Sequence, residues 1–266
     1  LHTPQQISQR EEILSPHVTL VPTDSNLIDH VWHDKPAEPM GLIEIFPLEI
    51  AGLSAADKRA QLSRYLKEKG IDSFVLTAPD SVAWLLNIRG NDVMYNPVPL
   101  ARAIVHAATA QVDLFVHAEK LTHDVRAHLG NDVAVYAPQD FESRLRTLTG
   151  VVGLDPAKAA ISVAHNITQA KIANLRDPCV LPRACKTESE QEAMRRAHKR
   201  DGVAVTKFLY WLKNHPQPQS LDEITIADYL DDLRRADTSY RGGSFATICG
   251  WAGNGAVIHY RATQES

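Results

Sequence analysis

Between Pro47 and Pro182 short apolar runs alternate with stretches at helical spacing, and beyond Thr187 the pattern changes to one long amphipathic stretch. Strands that alternate with helices predict a sheet covered by helices, so an α/β domain is expected over 47–182 and a second domain after it. The runs 74–76, 103–106, 112–116, 133–136 and 151–154 read as strands, the second and third joined by a short turn. Between them, Ser54 is a natural N-cap for a helix whose stripe is Leu62, Tyr65 and Leu66 and whose stop is Gly70. Asp80 is expected to cap a short helix through Trp84 and Leu85, 87–91 reads as a polar turn, and 119–129 and 139–148 read as helices.

The second domain starts with a capping-box pattern, Thr187 followed three residues later by Glu190. Met194, Ala197, Val205, Phe208, Leu209 and Leu212 hold one apolar face, and the helix must end before Pro216. Ser220 with Glu223 predicts another capped helix carrying Ile224, Ala227, Leu230 and Leu233. After it, 244–249 and 256–260 read as two strands of a hairpin around the glycine-rich turn 250–255. That turn lacks the Lys and the following helix of a phosphate-binding loop. The opening 1–46 reads as a connector with one short strand at 18–21.

With 266 residues the chain exceeds the usual domain length of roughly 100–200 residues, which agrees with two domains. An apolar share of 44% with 23% charged residues excludes a disordered chain. The net charge of -4, with basic residues dispersed among acids, disfavours a nucleic-acid partner. No apolar run approaches the roughly 20 residues of a membrane-spanning helix. Cys179, Cys185 and Cys249 form neither an even disulfide set nor a zinc-type pair, which suits free thiols in the cytoplasm. Leu1 and Ser266 both read as cut ends of a longer chain.

The histidine pair His30 and His33, and His123, lack the helical frame and the carboxylates of a metal site and read as surface residues. No Gly-x-Ser-x-Gly elbow marks a nucleophilic serine, and Cys249 beside Gly250 reads as a packing residue.

Four segments carry a resemblance in order: 26–32 (Asn-Leu-Ile-Asp-His-Val-Trp), 76–98 with Leu85-Leu86-Asn87-Ile88-Arg89-Gly90 at its centre, 181–186 (Leu-Pro-Arg-Ala-Cys-Lys), and Asn254-Gly-Ala-Val-Ile-His-Tyr260. Together they resemble the long-form aminopeptidases P of the creatinase and prolidase superfamily. That resemblance implies the end of a preceding N-terminal domain and a connector over 1–46. A middle creatinase/prolidase-like α/β domain would then span 47–182, and the start of an α+β pita-bread domain 183–266. It also implies two divalent metal ions, usually manganese, whose ligands lie beyond this chain, peptides beginning Xaa-Pro as substrates, and a homodimer. Within the chain it implies one pocket residue, His259, whose neutral imidazole can hydrogen-bond the scissile carbonyl. Arg89 is a second substrate-binding candidate because guanidinium binds carboxylates, although an interdomain or dimer contact is the favoured reading of it. Trp251-Ala252 departs from the small pair common in that turn. The rival reading is a metal-free pita-bread binding module for peptide, histone or RNA.

Overall fold

Phe74 and Leu76 point to one side of a six-stranded sheet and Val75 to the other, and all three are shut off from solvent. This period-two burial on both faces is what a central strand between two helical layers requires. The computed structural model of the protein describes residues 2–23 and 25–264. They fall into two units, 1–187 and 188–266.

The first unit contains α1 (Pro4–Leu14), α2 (Leu27–Val31), β1 (Glu44–Ile45), α3 (Leu48–Ala51), α4 (Ala55–Glu68), β2 (Ser73–Leu76), α5 (Pro79–Leu86) and β3 (Ile88–Arg89). It continues with β4 (Arg102–His106), β5 (Val112–Phe115), α6 (His123–Leu129), β6 (Val133–Tyr136), α7 (Phe141–Arg146), β7 (Gly150–Leu154), α8 (Ile161–Asn166), β8 (Ala170–Asn174) and α9 (Val180–Ala184). The sheet runs β6-β5-β4-β2-β7-β8, in which β4 is antiparallel to both its neighbours and the other pairings are parallel. One face packs Phe74, Leu76, Val105 and Leu114 against α4, α5 and α6, and the other packs Val75, Ile104 and Val152 against α7 and α8. Two helical layers on a mixed sheet are the α/β architecture expected for 47–182.

The five expected strands are all present, with ends shifted by no more than one residue. Ser54 caps α4, its hydroxyl accepting from the Asp57 amide at 3.0 Å. Other details differ. The run 18–21 forms no strand, its Val18 amide donating to the Leu14 carbonyl at the end of α1, and Val18 and Val21 stand in solvent. Residues 87–91 are not wholly a turn, because Ile88 and Arg89 pair with Ile45 and Glu44 as a two-stranded ribbon. Asp80 sits inside α5, where Ala78 is the cap position and Pro79 supplies the first helical φ. The two helices expected over 119–129 and 139–148 each open instead on a separate single 3-10 turn.

The second unit is built on α10 (Glu188–Lys213) and α11 (Glu223–Arg235). They meet through Trp211 and Tyr229, whose rings stack at 4.0 Å between centroids. Ser220 closes a 3-10 turn, and the cap of α11 is Asp222, whose carboxylate accepts from the Thr225 amide at 2.6 Å.

The hairpin expected over 244–260 is not formed: among the described residues of this unit there is no strand, and Ala252–Ala256 is a 3-10 turn. The cause is physical. Two strands alone cannot bury an apolar face, and here Phe245, Ile248, Val257 and Ile258 stand in solvent. The backbone is gathered instead by side-chain hydrogen bonds to one carboxylate.

Candidate functional site

That carboxylate belongs to Glu223, the first residue of α11. The Tyr260 hydroxyl donates to its Oε2 at 2.6 Å and the Trp251 amide to its Oε1 at 2.5 Å. The Asn254 side-chain amide reaches both oxygens at 3.3 Å and the Tyr260 oxygen at 3.0 Å. The hydrogen bonds from Tyr260 and then from Trp251 hold the Glu223 carboxyl below the usual carboxylate range, against a small upward push from burial. The glycines permit the turn. A Cβ on Gly250 would lie 3.0 Å from the Gly255 Cα, an approach that a side chain makes costly.

His259 lies between this anchored loop and Tyr260. Its backbone adopts φ +55°, the left-handed region that His tolerates better than most residues, and its side chain is exposed. Nearby, burial and then the Glu223 charge push the Cys249 thiol above its ordinary value, so it rests as a neutral thiol rather than a nucleophilic thiolate. A separate cavity of about 610 Å³ lies between α10, α11 and the segment after α11, floored by Ala204, Leu230 and Leu233. Of its three arginines, Arg200 pairs with Asp237 at 3.1 Å and Arg234 with Asp201 at 2.7 Å, while Arg241 donates to the carbonyl oxygens of Thr238 and Tyr240.

Arg89 belongs to the first unit. Its guanidinium stacks on the Phe46 ring at 3.9 Å and donates to the carbonyl oxygens of Ile88 at 2.8 Å and Ala83 at 3.4 Å. The stack and these bonds orient the side chain along the β1–β3 ribbon. His30, His33 and His123 are exposed, as read from the sequence, and the Ser25 hydroxyl lies 2.8 Å from His30 Nε2.

Among the described residues no three His, Cys, Asp or Glu side chains gather as metal ligands would. The residues present therefore do not fit a metal pair. No helix among them is long and apolar enough to cross a membrane.

Sequence reasoning missed the role of Glu223 as an anchor, having read it only as part of a cap. It also missed two polar clusters of the first unit. Asp113 accepts from Arg144 at 2.8 Å and lies 3.2 Å from His106 Nε2, while Ser73 approaches the other His106 nitrogen at 3.4 Å. Buried Asp177 accepts from the Ser81 hydroxyl at 2.6 Å and from the Cys179 amide at 2.8 Å. His106 ends the apolar run of β4 and Asp113 interrupts that of β5, and those polar positions were the available signal.

The model of the Creatinase/Prolidase N-terminal domain matches residues 34–190, and that of Metallopeptidase family M24 matches 192–266. A protein of Talaromyces marneffei named "Probable Xaa-Pro aminopeptidase P" is 36% identical over 257 residues, 91% of this chain and 39% of its own length. One of the same name from Aspergillus niger is 35% identical over 263 residues, 93% of this chain and 42% of its own. The crystal structure of X-prolyl aminopeptidase from Caenorhabditis elegans, described there as a cytosolic enzyme with a di-nuclear active site, superposes with a TM-score of 0.83. It is 29% identical, and the match covers 93% of this chain and 42% of that one. The chain thus spans about two-fifths of the length of the curated relatives it matches. The relatives carry peptidase names, so the binding-module reading is not favoured. With one domain model on each side of residue 191, the chain belongs to the creatinase/prolidase family and carries its N-terminal-type α/β domain followed by the opening of a family M24 metallopeptidase domain.

Proposed function

We propose that the protein to which this chain belongs is an Xaa-Pro aminopeptidase that removes one residue from peptides whose second residue is proline. The single observation that carries the reading is the likeness to the nematode X-prolyl aminopeptidase over 93% of this chain. Two divalent metal ions, manganese in this reading, belong to the part of the enzyme outside the chain; when bound they supply Lewis-acid chemistry at the scissile bond. The enzyme works as a cytoplasmic homodimer on small unstructured peptides. Residues 1–46 end a preceding domain and its connector, 47–182 form the middle domain, and 183–266 open the catalytic domain.

Within the chain, His259 is the residue that meets substrate, its imidazole donating to the oxygen of the scissile carbonyl and thereby orienting it. Proline is selected by shape, since its ring fixes φ and leaves no amide donor to satisfy. Arg89 serves a structural role, its guanidinium held by the Phe46 ring and the carbonyl oxygens of Ile88 and Ala83. The exposure of His259 on an anchored loop supports a ligand-facing role. Product analysis by mass spectrometry of the full-length protein tests the function. Release of the first residue from Arg-Pro-Pro and none from Arg-Ala-Pro is the expected result, and equal cleavage of both, or of neither, would refute it.

A further inference from the structure

We infer that Glu223 is a positioning residue for the reaction: its carboxylate fixes the loop that carries His259. The inference deepens the aminopeptidase reading and rests on it. Three groups converge on this one carboxylate, the Tyr260 hydroxyl, the Trp251 amide and the Asn254 side chain, and they bracket His259 on both sides in sequence. Among the described residues no strand pairing holds this segment; turn bonds from the Val257 amide to Asn254 at 3.1 Å and from the Tyr260 amide to Val257 at 3.3 Å shape it locally, and the bonds to Glu223 tie it to α11. The anchor point is itself rigid. Glu223 is the first residue of a 13-residue helix whose cap, Asp222, is satisfied by the Thr225 amide.

The link to His259 runs through its neighbour. Tyr260 follows it directly, and the 2.6 Å bond from the Tyr260 hydroxyl to Glu223 fixes where the chain leaves the loop. His259 is in the left-handed region, which costs free energy for a residue with a Cβ and persists where the surroundings impose it. Cutting the anchor lets that backbone relax toward negative φ and swings the imidazole away from the peptide. A displacement of about 1 Å at a substrate-facing group can lower turnover roughly 100-fold without contact to the chemistry.

The test uses the full-length protein and the variants Glu223→Ala, Glu223→Gln, Tyr260→Phe and the double variant Glu223→Ala/Tyr260→Phe. Hydrogen exchange followed by mass spectrometry reads the amides of 250–261, and steady-state cleavage of Arg-Pro-Pro reads kcat and KM, with metal content measured for each protein. Glu223→Ala is expected to speed exchange at the Trp251 amide and to lower kcat about 100-fold, with KM and metal content little changed. Glu223→Gln, which keeps an acceptor for Trp251, recovers part of both. Tyr260→Phe removes one hydroxyl, leaves folding intact, and adds nothing to the kcat loss of Glu223→Ala when the two are combined. Unchanged exchange in Glu223→Ala overturns the anchor. Faster exchange with unchanged kcat overturns its part in the reaction. A folded wild-type protein that cleaves no peptide overturns the aminopeptidase reading, and with it the link to the reaction, while the exchange readout separately decides the anchor.

Discussion

The Lys120 ammonium lies 2.5 Å from the Asp92 carboxylate, with the two side chains 2% and 0% exposed. Asp92 also accepts from the Leu100 amide at 2.6 Å, so the pair staples the irregular segment after β3 to the 3-10 turn before α6. Removing one partner strands a buried charge. Lys120→Met is expected to cost about 3–5 kcal/mol in urea denaturation. Adding Asp92→Asn should restore part of that, because an amide at this place can still accept from Leu100. A single-variant loss under about 1 kcal/mol would show that the pair does little for stability.

Gly153 on β7 faces the ring of Phe74 on β2: a Cβ built on it would lie 2.5 Å from Phe74 Cδ2. Neither backbone can yield without breaking the sheet, so Gly153→Ala should destabilise by about 1–3 kcal/mol through overpacking. Trimming the ring in Gly153→Ala/Phe74→Leu should recover part of the loss, a coupling that a double-mutant cycle measures.

Two buried carboxylates give opposite pH signatures. At Asp113 burial pushes the carboxyl up, but hydrogen bonds from His106 and Arg144 outweigh it and hold the group below 3.8. Its stabilising contribution is therefore present above the unfolded-chain value of about 3.9 and lost as pH falls through the lower folded value. Asp113→Asn should cost most above the unfolded-chain value, with the gap to wild type closing as pH falls through the lower folded value. At Asp177 burial prevails over the Ser81 and Cys179 bonds and raises the carboxyl above 3.8. A raised value reverses the sign: the contribution is present at low pH and lost as pH rises through the folded value. Asp177→Asn should gain on wild type as pH rises above the unfolded-chain value of about 3.9. Chemical denaturation at several pH values reads both slopes, and parallel slopes for variant and wild type at either site would contradict the assignment there.

The legibility of this fold in the sequence followed from how each element is buried. The five strands that the sequence reveals are built mostly of apolar residues and lie inside the sheet or at its β6 edge. Unread β8 holds only the short apolar pair Ile172-Ala173 between Lys171 and Asn174, as suits an edge strand, and is paired on one side only, to β7. Helix α1 was unread although Thr3 and Gln6 form a capping box at its start, because its sequence Pro-Gln-Gln-Ile-Ser-Gln-Arg-Glu-Glu-Ile-Leu shows little apolar periodicity. The hairpin over 244–260 was read from strand propensity, and propensity yields where no further sheet covers the apolar side. His259 was singled out only through its motif. The Glu223 anchor was not, since 31 residues separate it from Asn254 and 37 from Tyr260.

For His259 itself, replacement by Ala in the full-length protein is expected to lower kcat on Arg-Pro-Pro by about 100-fold or more while metal content stays at the wild-type value. A loss of metal together with turnover would assign His259 to metal retention instead. Unchanged turnover would remove it from the site.

The measurement that bears most directly on the whole account is cleavage of Arg-Pro-Pro by the full-length protein and by residues 1–266 side by side, with and without added manganese. The account predicts metal-dependent release of arginine by the full-length protein alone, because the residues described here gather no set of metal ligands. Cleavage by the 266-residue chain itself, or a folded, metal-loaded full-length protein that leaves the peptide intact, would contradict it.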